Sequence, residues 1–326
     1  MKNAMMSGLL TGLLAVLPAV ATPAAAQDYP TKTIQLIVPF PAGGDIDPIA
    51  RVLADHLRST WGQPVVVESR AGAGGRIGSA AVAKSDPDGY TLLMCSAGPI
   101  TISPSLYSDM PYVPEKDFEP VVLIGAAPAV LLVNEGVPAK TYAEFLKLAQ
   151  EKPGTITYAS SGIGSFAHLA TLAYTGDAGI KLMHVPYKGS APAVQDLVGG
   201  HVNMSFNPMP SALSALTTQK VRPLAVTSAK RSTFLPDVPT LSELGLKDID
   251  IASWYGICAP KGTPANVVAK LHAEINRATA LPAVQERLRA LGTETRNVSI
   301  ADFAALLKTD AARWSRVVKE NNVKVQ

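Results

Sequence analysis

The chain has 326 residues, a formal net charge of +3, 47% hydrophobic residues and two cysteines. An apolar fraction that high with so little charge excludes a disordered tail protein, and 29 basic against 26 acidic residues with no long basic run excludes a nucleic-acid binder. The length is enough for two ordinary domains with sizeable cores.

The first segment reads as an address. Lys2 gives a short positive start, Gly8 to Val20 is almost wholly apolar, and Ala24-Ala25-Ala26 offers small residues for cleavage after Ala26. Pro18 interrupts a run too short to span a bilayer, so the segment reads as a signal peptide and the working chain as a periplasmic one. No cysteine lies near the cut, which argues against a lipid anchor.

After the leader, short β-rich runs alternate with helix-period segments: TIQLIVPF, Asp47 to Thr60, PVVVESR, Ile77 to Lys84, YTLLMCS. This alternation predicts βαβ units. The first helix is predicted to have Asp47 as its N-cap, Pro48 at its first position and Gly62 just past its end. The apolar stretch Asp117 to Glu135 is too long for one ordinary strand and is broken by Gly125 and Pro128, so it is read as the chain crossing between two domains. Thr141 and Glu144 then form a capping box for a helix over 142–150.

A second β/α series follows: TITYASS, a helix after Ser165, KLMHVPY, the helix Ala191 to Val198, HVNMSFN, a short helix from Ser211, and RPLAVTSA. The chain is expected to return to the first domain near Ser228. There it adds the strand SWYGICAP, a helix opened by Thr263-Pro264, and a final amphipathic helix capped by Ser299. The fold class is therefore α/β, with lobes expected at 27–126 plus 229–326 and at 127–228. Cys95 and Cys258 sit in apolar strand-like runs and are read as buried free thiols, with one disulfide as the alternative in an oxidising compartment.

Three glycine-rich loops each follow a strand and precede a helix: 39–44 with Asp47, 70–75, and 160–165. Such loops place unpaired N–H groups at the positive end of a helix dipole, a ready site for a carboxylate. The spacing of Gly72, Gly74 and Gly78 is a poor match to a dinucleotide fingerprint, and no cofactor is expected. The five histidines are not spaced as metal ligands, and no metal is expected. An exported hydrolase or isomerase using Ser165 and His168 is the competing reading, weakened by the absence of a third orienting group. An effector-binding part of a regulator is a third, but the N-terminus carries a leader where a DNA-binding segment would stand. Trp254 and Tyr255 are read as core aromatics.

The segments VPFPAGGDID with Ala50-Arg51, ESRAGAGGRIG, PDGYTLL, YASSGIGSFAHL, HVPYKGSAPAVQDLVGG, LAVTSAKRS with LPDVPT, and SWYGICAPKGTP occur in this order. Together they resemble the periplasmic receptors of tripartite tricarboxylate transporters, also called Bug-type receptors. The resemblance implies a two-lobed "Venus flytrap" of type II-like architecture, each lobe a mixed sheet flanked by helices, with the ligand in the cleft. It implies a small carboxylate as ligand (a dicarboxylate, tricarboxylate or aromatic acid, with acidic amino acids also bound in the family), docking to two membrane components, and no catalysis; a monomer is expected. Carried over position by position, the ligand-side residues are Phe40, Ala42, Gly43, Gly44 and Asp47, then Ser160, Ser161, Gly164 and Ser165, with Asn207 at a further position; Ser96 after TLLMCS and His168 in the first turn after Ser165 are added as candidates, His168 with a packing role as its alternative. Two positions depart from the family pattern: Ser69 replaces the usual Asn, and Asn207 stands where many relatives carry Asp. The second change is expected to favour an anion or neutral polar group over an ammonium.

Overall fold

The computed structural model describes residues 29–246, 251–321 and 323. The signal peptide expected over 1–26, with its cut after Ala26, lies outside the described residues.

In chain order the first β/α series is β1 (Ile34–Val38), α1 (Asp47–Trp61), β2 (Val65–Ser69), α2 (Arg76–Ala83) and β3 (Thr91–Ser96). Two single turns follow, α3 (Ser103–Leu106) and α4 (Pro114–Asp117), before the long strand β4 (Phe118–Asn134). The second series is α5 (Tyr142–Glu151), β5 (Thr157–Ser160), α6 (Phe166–Ala178), β6 (Met183–Pro186), α7 (Ser190–Val198), β7 (Met204–Pro208), α8 (Met209–Leu216) and β8 (Val221–Val226). The chain ends with β9 (Ala252–Pro260), α9 (Ala265–Ala280), α10 (Pro282–Ala290), β10 (Glu294–Thr295) and α11 (Ile300–Glu320).

The strands run in the order β2-β1-β3-β9-β4-β7-β5-β6, with β8 and β10 paired to β4. The β1–β2, β1–β3, β5–β6 and β5–β7 pairs are parallel, whereas β9, β7 and β8 all meet β4 antiparallel, so the sheet is mixed. The apolar stretch expected to be too long for one strand is one strand of 17 residues. Its first half, through Pro128, pairs with β9, and from Ala129 onward it pairs with β7 and β8. Register shifts beside Pro120 and Gly125 let it bend without ending. Both of its faces are covered: Leu131 and Val133 join one apolar layer, Val130 and Leu132 the other. A strand buried on both faces reads as a continuous apolar run, which hides the period of two that an exposed strand would show.

Two further details differ from expectation and a third adds to it. Cys95 and Cys258 form a disulfide between β3 and β9, with their Cα atoms 5.9 Å apart, so the free-thiol reading is corrected. Sequence shows only that both are apolar positions; antiparallel pairing of strands 163 residues apart brings them together. Asp47 is the first residue of α1 and Ile46 precedes it as a cap without a side-chain bond, so Asp47 is not the N-cap. Finally, α11 also reaches the second β/α series: Trp314 packs edge-to-face on Phe166 of α6 at 6.0 Å. The capping box of α5 forms as its residues predict, with Glu144 N–H donating to Thr141 Oγ1 at 3.3 Å and Glu144 Oε2 accepting from the Thr141 N–H.

Candidate functional site

The glycine-rich loops converge where β4 passes from one set of partners to the other. A Cβ added at Gly189 would lie 2.9 Å from Pro41, and one added at Gly164 would lie 2.8 Å from Leu106, so both positions must stay bare for the two lobes to touch. Both also have positive φ, +134° and +77°. The Tyr107 hydroxyl reaches the carbonyl of Ile163 at 3.5 Å, and the Arg76 guanidinium lies 3.5 Å over the Tyr107 ring centre, beside the same contact.

Between the lobes lies a cavity lined from five directions. Phe40, Asp45 and Ile46 come from the loop after β1, and Ser96, Ala97 and Gly98 from the end of β3. Ser253 and Tyr255 come from β9, Asn207 and Pro208 from β7. The second lobe adds Ser161, Ser165, Phe166, Ala167 and Ser190 from the loop after β5 and the starts of α6 and α7. The Cys95–Cys258 disulfide ties together the two strands that carry Ser96 and Tyr255.

At α6, Ser165 is a true N-cap: its Oγ accepts from the His168 N–H at 3.3 Å. The free N–H groups of the first helical turn, on Phe166 and Ala167, therefore sit at the cavity wall with the positive end of the helix dipole behind them. Nearby buried polar atoms that make no hydrogen bond include Asn207 Nδ2 and the Tyr255 hydroxyl. Both residues are almost fully buried, and a buried polar group left unpaired costs about 1–3 kcal/mol. Burial, reinforced by the nearby Asp45 carboxylate, holds the Tyr255 hydroxyl well above the usual phenol range, so it stays a donor at any physiological pH.

Of the positions expected from sequence, Phe40, Ser96, Ser161, Ser165 and Asn207 line the cavity. The others are placed differently. Ala42 and Gly43 are exposed, while Gly44 is buried close to Ser190. Asp47 faces away from the cavity: its carboxylate accepts from the Gly43 N–H at 3.3 Å and from Arg51 at 2.9 and 3.0 Å. Ser160 turns to His184, its Oγ 2.6 Å from Nε2. His168 lies beneath the loop, stacked on His184 with ring centres 4.2 Å apart, and its Nδ1 accepts from the Gly164 N–H at 3.2 Å. Tyr158 also stacks on His184, with ring centres 4.7 Å apart. Burial pushes His168 down to about 3, with His184 adding to the effect, and pushes His184 itself down to about 4. Both rings are therefore neutral supports of the loop.

The Ser165–His168 pair of the hydrolase reading does not exist as chemistry, since the hydroxyl meets the backbone N–H of His168 and not its ring. Among the described residues no cluster of His, Cys, Asp or Glu could hold a metal ion. Among the cavity residues that sequence reasoning missed are Tyr255, Ser190 and Asp45. Tyr255 was assigned to the core, Ser190 carried no motif, and Asp45 was hidden by Asp47 two positions on. The one available signal was that the glycine loop holds two acids, of which only one could cap or brace α1.

The family model for the tripartite tricarboxylate transporter family receptor matches residues 49–323. The chain belongs to this family. It is a periplasmic solute-binding receptor of the Bug type and not an enzyme, with the two-lobed mixed α/β architecture of that group. It is 41% identical over 314 residues to the UPF0065 protein in the tcbD-tcbE intergenic region of Pseudomonas sp. strain P51, covering 96% of this chain and 93% of the relative. Among solved structures, Rpa4515 of R. palustris with adipate is 34% identical with a TM-score of 0.88, covering 91% of this chain and 99% of that one. MatC of Rhodopseudomonas palustris with bound malate is 33% identical with a TM-score of 0.84, covering 89% and 100%.

Proposed function

We propose that this receptor captures a small carboxylate in the cleft between its lobes and delivers it to the membrane components of a tripartite tricarboxylate-type transporter. The observation that carries the reading is the start of α6: free N–H groups at the positive end of a helix, facing a cavity in which Asn207 Nδ2 and the Tyr255 hydroxyl lack partners. A ligand carboxylate there would accept from the N–H groups of Phe166 and Ala167 and from the hydroxyls of Ser161 and Ser165. Asn207, Ser96 and Tyr255 would close around the rest of the molecule, and Phe40 would cover it. Gly44 and Gly164 serve by letting the lobes approach, and Ser160 and His168 by holding the loop.

The change of β4 partners after Pro128 supports dividing the chain into lobes 27–126 plus 229–326 and 127–228. Ligand bridging both lobes would stabilise their contact, and a membrane partner would recognise that state. The ligands named for two structural relatives, adipate and malate, are small carboxylates, which supports the same class. The receptor is taken to work as a monomer after cleavage at Ala26.

The test is native mass spectrometry of the purified protein, followed by thermal unfolding with dicarboxylates, tricarboxylates and aromatic acids. A bound acid at a hundredfold excess over its dissociation constant stabilises the folded state by about 2.7 kcal/mol, a clear upward shift. A panel in which no carboxylate shifts the transition would refute the reading.

A further inference from the structure

The cavity contains an acid that carboxylate capture alone does not use. Asp45 belongs to its wall, and among the described residues lining it this is the one charged side chain. The residue as a whole is only partly buried, but its Oδ1 is shut off from solvent and makes no hydrogen bond. The Ser190 hydroxyl at the start of α7 lies against the carboxyl group, and Tyr255 faces it from β9. No cation answers it inside. Arg51 is engaged by Asp47, and Lys188 stands outside, in the outer groove that shares Phe40 and Ser161 with the cavity.

The cavity thus has two poles. One is an anion pole of N–H groups and serines at α6; the other is an acceptor pole at Asp45. A second ligand carboxylate placed at Asp45 would meet a like charge in a water-poor space, where such contacts are costly. An ammonium placed there would supply the missing partner. Burial pushes the Asp45 carboxyl up to about 7, with Ser190 opposing, so the occupant of this pole decides its charge. The expectation drawn from Asn207 assumed a cavity without an acid; Asp45 supplies one from the opposite lobe.

We propose that Asp45 makes this receptor selective for carboxylic acids that also carry an ammonium group, the carboxylate at the start of α6 and the ammonium against Asp45. This rests on the cleft being a carboxylate site, and it narrows the ligand to an amino acid or a related amino-carboxylate. A buried carboxylate–ammonium contact is worth more than a neutral hydrogen bond, and loss of its partner costs affinity directly.

The experiment is calorimetric titration of the leader-free protein with matched pairs of acids on two- to six-carbon skeletons, with and without an amino group. Succinate against L-aspartate and propanoate against β-alanine are the first pairs. Wild type is expected to bind the amino member of its best pair at least about tenfold more tightly, and Asp45→Asn to bring the ratio close to one with unfolding still cooperative. Asp45→Ser, which shortens the side chain, is expected to do the same, guarding against a packing effect of the amide. A preference for the plain acid, an equally tight hydroxy acid such as malate, or a ratio unchanged in both variants would overturn the inference while leaving the carboxylate site standing. Failure of every acid in the series to bind would overturn both.

Discussion

The loop after β1 and the loop after β5 look alike in sequence: each is glycine-rich, follows a strand and opens a helix. Their helix ends have opposite fates. At α1 the positive end is already answered from within, because Pro48 has no N–H and the Asp47 carboxylate takes the Gly43 N–H and the Arg51 guanidinium. At α6 the cap is a neutral serine that takes only the His168 N–H, so Phe166 and Ala167 are left facing the cavity. A glycine loop before a helix is therefore not enough to define an anion site. What decides is whether the chain supplies its own anion first, and here the first lobe does and the second does not.

Four changes would break or sharpen this contrast. The largest effect on stability concerns the scaffold behind the first loop. Replacing Cys95 and Cys258 by serine removes a link across 163 residues, and chain-entropy arguments put the loss at about 5 kcal/mol, readable by denaturant unfolding. Next is Gly164→Val, which places a branched side chain against Leu106 at a residue with φ +77°. Calorimetry should show ligand binding lost while far-UV circular dichroism stays that of the parent; normal affinity would mean the lobes need not meet here.

A smaller effect separates the two loops directly. Ser165→Ala should cost about 1 kcal/mol of stability through the lost cap and should also weaken ligand binding. Asp47→Asn should cost a comparable amount of stability but leave affinity nearly unchanged. Equal losses of affinity in the two variants would erase the distinction.

A further contrast is a pH dependence. His168 and His184 have folded values of about 3 and about 4, below the ordinary 6.5, so the unfolded chain takes up their protons first. Their contribution is complete above about pH 6.5 and is lost as pH falls toward 4 and below. Asp45 works in the opposite sense: its folded value of about 7 exceeds the ordinary 3.8, so its contribution is complete below about pH 4 and fades as pH rises through 7. Melting temperatures of wild type should fall on acidification from pH 6.5 to 4, and those of Asp45→Asn should fall more steeply. Parallel curves would show that Asp45 is not buried as described.

Much of the molecule was legible because local chemistry is written locally. The βα alternation, the α5 capping box, the Ser165 and Ser299 caps and the family motifs all depend on neighbours a few residues apart. The disulfide was not, since two apolar cysteines in separate strands carry no mark of being partners. Nor was the unbroken course of β4, because burial on both faces erases the alternation that identifies a strand. Of the residues that line the cavity, Phe40, Ser96, Ser161, Ser165 and Asn207 were named from the sequence, whereas Tyr255 and Ser190 required coordinates.

Sequence by itself therefore determined the starts of α5, α6 and α11, the glycine-rich loops and the receptor family, through spacing and side-chain type. Only the tertiary structure decided which helix end faces the cavity, which of two neighbouring acids, Asp45 or Asp47, enters it, and which cysteines join. The physical reason is the same in each case. Hydrogen-bond accounting and desolvation depend on what packs against a group, and here those neighbours come from strands and loops more than a hundred residues away.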